Sequence, residues 1–61
     1  MSDIYIQWLD SSGWSTTETV ENGTKMNGYL ITSIMKEVQG RFPDKRIRAV
    51  DSDGRIVDIL S

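Results

Sequence analysis

Two tetrapeptides of nearly the same sequence constrain the fold more than any other feature of this chain. They are Asp10-Ser11-Ser12-Gly13 and Asp51-Ser52-Asp53-Gly54, and each lies between runs of β-branched and aromatic residues. Asp-x-x-Gly is typical of a type I turn whose glycine takes the left-handed conformation and forms a G1 bulge. The pattern therefore predicts two β-hairpins, with strands at about 4–9 and 14–20 and at about 46–50 and 55–60.

The segment between the hairpins has helical periodicity. Its apolar residues recur at the spacing of one helix face, namely Leu30 or Ile31, then Ile34, Val38 and Phe42. This spacing predicts a helix over about 25–39. Its candidate boundary residues are Thr24 or Asn27 as the N-terminal cap, Gly40 as the end, and Pro43 as the residue that prevents continuation.

The predicted order is ββαββ, an α+β fold in one small domain over 1–61. A helix of about 15 residues is roughly 22 Å long, close to the length of a six-residue strand, so it can lie along one face of a four-stranded sheet. One helix cannot cover both faces. The order of the strands in the sheet is not readable from the sequence.

Alternation along the strands predicts which side chains face the helix. A G1-bulge register for both hairpins pairs Asp10 with Trp14 and Asp51 with Arg55. The helix-facing side chains are then Ile4, Ile6, Trp8, Trp14, Val20, Ile47, Ala49, Val57 and Ile59, with Met26 and Met35 packing from the helix segment. The opposite face carries Tyr5, Gln7, Leu9, Ser15, Thr17, Thr19, Arg46, Arg48, Val50, Ile56, Asp58 and Leu60. This register places Arg48 directly across from Asp58, so an ion pair is expected there.

Apolar side chains on the uncovered sheet face indicate a contact site, because a cluster of them lacks a second layer. The predicted partner-binding residues are Tyr5, Leu9, Arg46, Arg48, Val50, Ile56 and Leu60. The alternative is that the sheet twists, the arginine stems cover the apolar groups and nothing binds.

Catalytic and metal sites are disfavoured by residue type. The chain has no Cys and no His, so it lacks disulfides and the usual nitrogen and sulfur ligands of zinc. Placing Gly54 at the invariant glycine of an EF-hand loop puts Ala49 and Leu60 where carboxylates are needed. Asp51 and Asp53 are instead expected to be turn residues that bond nearby amides. We predict no cofactor, no metal and no enzymatic activity.

A chain of 61 residues buries only about 60% of the surface of its unfolded form, so a partner or a second copy (a homodimer) is an expected source of stability. The expected location is cytoplasmic, because neither a secretory signal nor an apolar run long enough to span a membrane is recognisable. Net charge is −2, which favours a protein partner over nucleic acid. The alternative is a sheet-face nucleic-acid binder that uses Arg46, Arg48 and Arg55.

The C-terminal third, FPDKRIRAVDSDGRIVDIL, resembles a group of small phage and bacterial open reading frames of unassigned function. These end in P-x-K-R-[IV]-R-A-V-D-x-D-G-R-[IL]-[IV]-D-[IL], and the matching places are held by Pro43, by the residues from Lys45 to Asp51 and by those from Asp53 to Ile59. The helix is similar more loosely, through Tyr29, Leu30, Met35 and Lys36. The resemblance implies a phage or mobile-element setting and supplies no activity.

Overall fold

The structure is a computed structural model that describes residues 3–21 and 28–60, with side chains for all of these except residues 28 and 29. It contains β1 (Ile4–Asp10), β2 (Gly13–Val20), α1 (Gly28–Arg41), β3 (Ile47–Asp51) and β4 (Ile56–Leu60). The predicted ββαββ order and α+β class are confirmed. Each strand boundary lies within one residue of its predicted position.

The helix differs from its prediction at its C-terminal end. It runs through Gly40 to Arg41, so Gly40 does not end it. The amide of Phe42 still donates to the carbonyls of Val38 and Gln39, each at 3.1 Å. Pro43 follows, and it has no amide hydrogen to extend the ladder. The predicted caps, Thr24 and Asn27, lie outside the described residues, as does Met26.

The four strands form one antiparallel sheet in the order β2-β1-β3-β4. The central pair, β1 and β3, joins the two hairpins, with Trp8 opposite Ile47 and Ile4 opposite Asp51. The outer strands β2 and β4 are therefore the edges. Because β2 and α1 lie between β1 and β3 in the chain, the pairing of these two strands brings together residues that are far apart in sequence.

The core lies between α1 and one face of the sheet. Trp8 and Phe42 close one end of it by stacking, with ring centroids 4.8 Å apart and planes 2° from parallel, and the Lys45 ammonium lies 5.6 Å from the Trp8 ring centre. Burial of this apolar surface is the main stabilising term, at about 25 cal/mol per Å². The buried residues that form this core are Ile4, Ile6, Ile31, Met35, Val38, Ile47 and Ala49.

The second turn has the predicted geometry. Gly54 takes φ = 83°, a left-handed conformation that glycine adopts without steric cost. The Gly54 amide donates to the Asp51 carbonyl and the Asp51 amide donates to the Arg55 carbonyl, both at 3.0 Å. The Asp51 carboxylate also accepts from the amides of Asp53 and Arg55 at 2.9 and 3.0 Å. Asp51 is thus a turn residue, as expected.

The first hairpin has a different register from the predicted one. Asp10 pairs with Gly13, and Leu9 with Trp14. The extra residue lies farther along β2. Ile6 pairs with Glu18 and Gln7 pairs with Thr16, so Thr17 has no partner on β1 and forms a bulge. The assignment of Trp14 to the helix face is therefore wrong: Trp14 lies on the opposite face, beside Leu9. Ser15, which pairs with Trp8, moves to the helix side.

A bulge at Val57 changes the faces of β4 in the same way. Val50 pairs with Ile56, but Ala49 then pairs with Asp58, Arg48 with Ile59 and Ile47 with Leu60. Asp58 and Leu60 consequently face the helix and Ile59 faces away, the reverse of the prediction. The expected ion pair between Arg48 and Asp58 is absent. Instead, the Thr32 hydroxyl on α1 donates to the Asp58 carboxylate at 3.1 Å.

The Asp10 carboxylate gives the first hairpin a pH dependence. Its pKa is lowered from the ordinary value of 3.8, first because the Ser15 hydroxyl donates to it, and then because the Ser12 hydroxyl and amide do so. A lowered folded-state pKa stabilises the fold above the unfolded pKa, and this contribution is lost as pH falls through the folded pKa. We expect Asp10→Asn to lower the thermal midpoint at about pH 7, and the difference from wild type to narrow towards about pH 2.

Thermal unfolding of both proteins across that pH range, followed by circular dichroism, measures this effect. Asp44→Asn is the matched control, since Asp44 is an exposed carboxylate outside both hairpin turns. A difference between Asp10→Asn and wild type that is the same at every pH would contradict the assignment.

Candidate functional site

The sheet surface opposite α1 is the candidate site, and we call it the open face. The register arranges its side chains in three rows that cross the strands. The first row contains Thr19, Tyr5, Val50 and Ile56; the second contains Thr16, Gln7, Arg48 and Ile59; the third contains Trp14 and Leu9. The first and third rows are mainly apolar, and the middle row is mainly polar.

Five of the seven predicted partner-binding residues lie on strands of the open face, namely Tyr5, Leu9, Arg48, Val50 and Ile56. Arg46 precedes β3, and its carbonyl accepts the Leu9 amide at 3.0 Å, which places it at the end of the third row. Leu60 packs against the helix-side core, so its assignment to the site is wrong. Val50 is only 5% exposed and supports its neighbours rather than offering contact area.

Exposed apolar surface is concentrated on the edge strand β4. Ile56 is 57% exposed, Val57 at the bulge 48% and Ile59 41%. Single exposed apolar side chains are ordinary on protein surfaces, whereas a cluster of them is of the kind used for contacts. Ile56 continues the apolar row through Val50 to Tyr5, and Ile59 lies beside Arg48. The apolar part of the site is therefore centred on Ile56 and Ile59.

A chain of polar contacts fixes the middle row. Arg48 Nε donates to Gln7 Oε1 at 2.8 Å, and Gln7 Nε2 donates to Thr16 Oγ1 at 3.1 Å. The Arg48 guanidinium carbon also lies 4.2 Å from the centre of the Trp14 ring, within the range of a cation–π contact. The open face thus carries a cation held in one position between two apolar rows.

Sequence reasoning missed Trp14 and Ile59 as members of this face. Both were assigned to the core because regular alternation from the turns puts them there. The Thr17 and Val57 bulges reverse that assignment, and no glycine marks either position. Glu18 lies on the helix side in both the predicted and the observed register, so its contact with Arg41 at 2.9 Å gives no signal of the Thr17 bulge.

The backbone edge of β4 is partly occupied. The Ile59 amide donates to the Asp58 carboxylate at 2.8 Å, so an added strand would have to displace that bond. Bulges and edge carboxylates are devices by which proteins discourage strand addition. Contact through the open face is therefore favoured over contact through the β4 edge.

A second surface feature lies between β2 and α1, on the helix side. It is a depression of about 440 Å³ with a floor of Val20 and Ile34. Its rim carries Glu18, Glu21 and Glu37 with Arg41, which is paired to Glu18. These carboxylates are water-exposed and no nucleophile or base accompanies them, so nothing in the depression points to catalysis.

Within residues 3–21 and 28–60, no group of acidic side chains is arranged to hold a metal ion. None of the helices in that part of the chain has the length and apolar character needed to cross a bilayer. Comparison with protein-family models, with curated proteins and with solved structures found no match. The chain is thus assigned by its fold, an α+β protein with one helix on an open four-stranded antiparallel sheet, and its resemblance to phage open reading frames stays a prediction.

Proposed function

We propose that this chain is a small intracellular protein-interaction module, phage- or mobile-element-encoded, that binds a host protein or a second copy through the open face. The observation that carries this proposal is the exposure of Ile56 and Ile59 on a sheet face without a second layer. Covering them would remove apolar area from water, at about 25 cal/mol per Å². The role is binding rather than catalysis.

Charge favours a protein over nucleic acid as the partner. The strands place one cation, Arg48, on the open face, and Arg46 lies at its end. The Asp51 amide donates to the Arg55 carbonyl, so Arg55 lies across the hairpin from Asp51 and shares its face, the helix side. The three arginines therefore do not form one surface. Non-specific nucleic-acid affinity requires neutralisation of several phosphates. Retention on an oligonucleotide at low salt, lost as salt rises, would favour the nucleic-acid alternative.

The doubly substituted variant Ile56→Lys/Ile59→Lys tests whether the open face binds a partner. We expect it to fold as wild type does, because both side chains are exposed, and to lose capture of partners from a lysate of the native host by about tenfold or more. Val50→Lys is unsuitable, since Val50 is buried. Quantitative mass spectrometry of the retained proteins, with sedimentation equilibrium over a concentration range, supplies the measurement.

Leu30→Lys is the matched control, because Leu30 is an exposed apolar residue (43%) on α1 rather than on the sheet. Capture or self-association should survive this substitution. If all three proteins are monomeric and retain the same proteins equally, the open face is not the docking surface.

A further inference from the structure

The sheet segregates its charges. The four strands contain five charged side chains, and four of these are carboxylates: Asp10, Glu18, Asp51 and Asp58. By register or contact every one lies on the helix side. The fifth is Arg48, on the open face. In a chain of net charge −2, the surface available for docking is therefore locally cationic.

Arg48 occupies the centre of that surface. It is on a central strand and in the middle row, and Gln7 and Trp14 hold its guanidinium in place. The four strand carboxylates lie on the opposite side of the sheet from it, and the ion pair found among the described residues joins Arg41 to Glu18. Asp10 is three positions from Gln7 on the opposite side of the sheet, and Asp3 precedes Gln7 by four positions, about 13 Å in an extended strand.

The partner must therefore satisfy a guanidinium as well as apolar side chains. Covering Arg48 with a purely apolar surface would remove its Nη hydrogens from water without an acceptor, which is costly. A carboxylate can accept both Nη groups in a bidentate pair. Since Nε is already bonded to Gln7, a partner carboxylate would pair with the two Nη groups.

On the basis of the proposed docking function, we propose that the open face binds a heterologous protein segment carrying a carboxylate flanked by apolar side chains. The carboxylate pairs with Arg48, and the apolar side chains contact Ile56 and Ile59 on one side and Leu9 and Trp14 on the other. A segment of about six extended residues crosses the roughly 19 Å width of four strands.

Charge argues against a second copy as the occupant. A twofold axis through the centre of the open face would bring two Arg48 side chains together in a dehydrated interface, and the open face of the second copy supplies no strand carboxylate to neutralise them. Like charges at such a position oppose association. An acidic partner segment has the complementary charge.

A peptide display selection tests the proposal, with a random library of peptides about twelve residues long as the probe, enough to cross the sheet with flanking residues. Selected peptides are expected to contain Asp or Glu between apolar residues and to lose binding to Ile56→Lys/Ile59→Lys. A synthetic selected peptide is then compared with its Glu→Gln or Asp→Asn counterpart on wild type and on Arg48→Gln. The expected loss is at least about tenfold on wild type and at most about twofold on Arg48→Gln.

Arg41→Gln is the matched control, because it removes the same charge from the helix side and should leave the carboxylate preference intact. Thermal unfolding of each variant verifies that it is folded. Peptides that bind the open face without a carboxylate preference, or with one that Arg48→Gln leaves unchanged, overturn this inference and leave the docking function standing. If no selected peptide is sensitive to Ile56→Lys/Ile59→Lys, both fail.

Two further outcomes overturn the inference. One is a wild-type dimer that Ile56→Lys/Ile59→Lys converts to a monomer, which would make a second copy the occupant. The other is retention of a short single-stranded oligonucleotide at low salt that Arg48→Gln abolishes, which would make the face a nucleic-acid site.

Discussion

Ile6→Ala is expected to abolish most of the stability of this protein. Ile6 is fully buried, lies on the central strand β1, and pairs with Glu18 on one side and Ala49 on the other. Truncating a buried isoleucine to alanine costs about 2–5 kcal/mol in lost burial and cavity formation. A single small core of this size supplies about 3–5 kcal/mol in total, so a large fraction of the variant should be unfolded at room temperature.

Urea unfolding monitored by circular dichroism provides the measurement. Ile6→Val extends the series to a variant that folds, with an expected loss of about 0.5–1.5 kcal/mol. Ile56→Ala is the exposed counterpart on the edge strand β4 and should change stability by no more than about 0.5 kcal/mol. Equal losses at Ile6 and Ile56 would mean that the core does not lie between α1 and the sheet.

Features governed by neighbouring residues were predictable from the sequence. The turn at Asp51 follows from the ability of Gly54 to adopt a positive φ and from the Asp51 carboxylate bonding amides two and four residues later. The helix follows from apolar spacing, with Met35 and Val38 fully buried as a result. Such local preferences act within a few residues, and therefore they are visible in a single chain.

Features that depend on distant pairing were not predictable. In the order β2-β1-β3-β4, β1 pairs with β3, and no turn connects these two strands. The bulges at Thr17 and Val57 lie within strands of ordinary composition. An extra residue can be accommodated at a turn or farther along a strand at similar local cost, so packing against the helix decides between them.

The candidate site shows the consequence of those two bulges. Tyr5, Leu9, Arg48 and Ile56 were placed on the open face correctly because they lie on β1 and β3 or close to the Asp51 turn. Trp14 and Ile59 were misassigned because a one-residue shift exchanges the faces of a strand. The cation–π contact between Arg48 and Trp14 was consequently unforeseen, although it contributes to fixing the central cation of the site.

A paired substitution on β4 tests the bulge at Val57 directly. Leu60→Lys should destabilise the protein by about 2 kcal/mol, because Leu60 packs against the helix-side core and a lysine there loses that burial. Ile59→Lys should change stability by no more than about 0.5 kcal/mol, since Ile59 faces away from the helix and is 41% exposed. Urea unfolding of the two variants beside wild type gives both free energies.

The two residues are adjacent and both are aliphatic, so strand propensity, distance from the chain end and added charge are nearly the same for both substitutions. What differs is the face. A hairpin without the bulge would put Ile59 under the helix and Leu60 on the open face, and the order of the two losses would then be reversed. A larger loss for Ile59→Lys than for Leu60→Lys would therefore favour the unbulged register, in which Ile59 does not lie on the open face. The expected order supports both the Val57 bulge and the position of Ile59 beside Arg48.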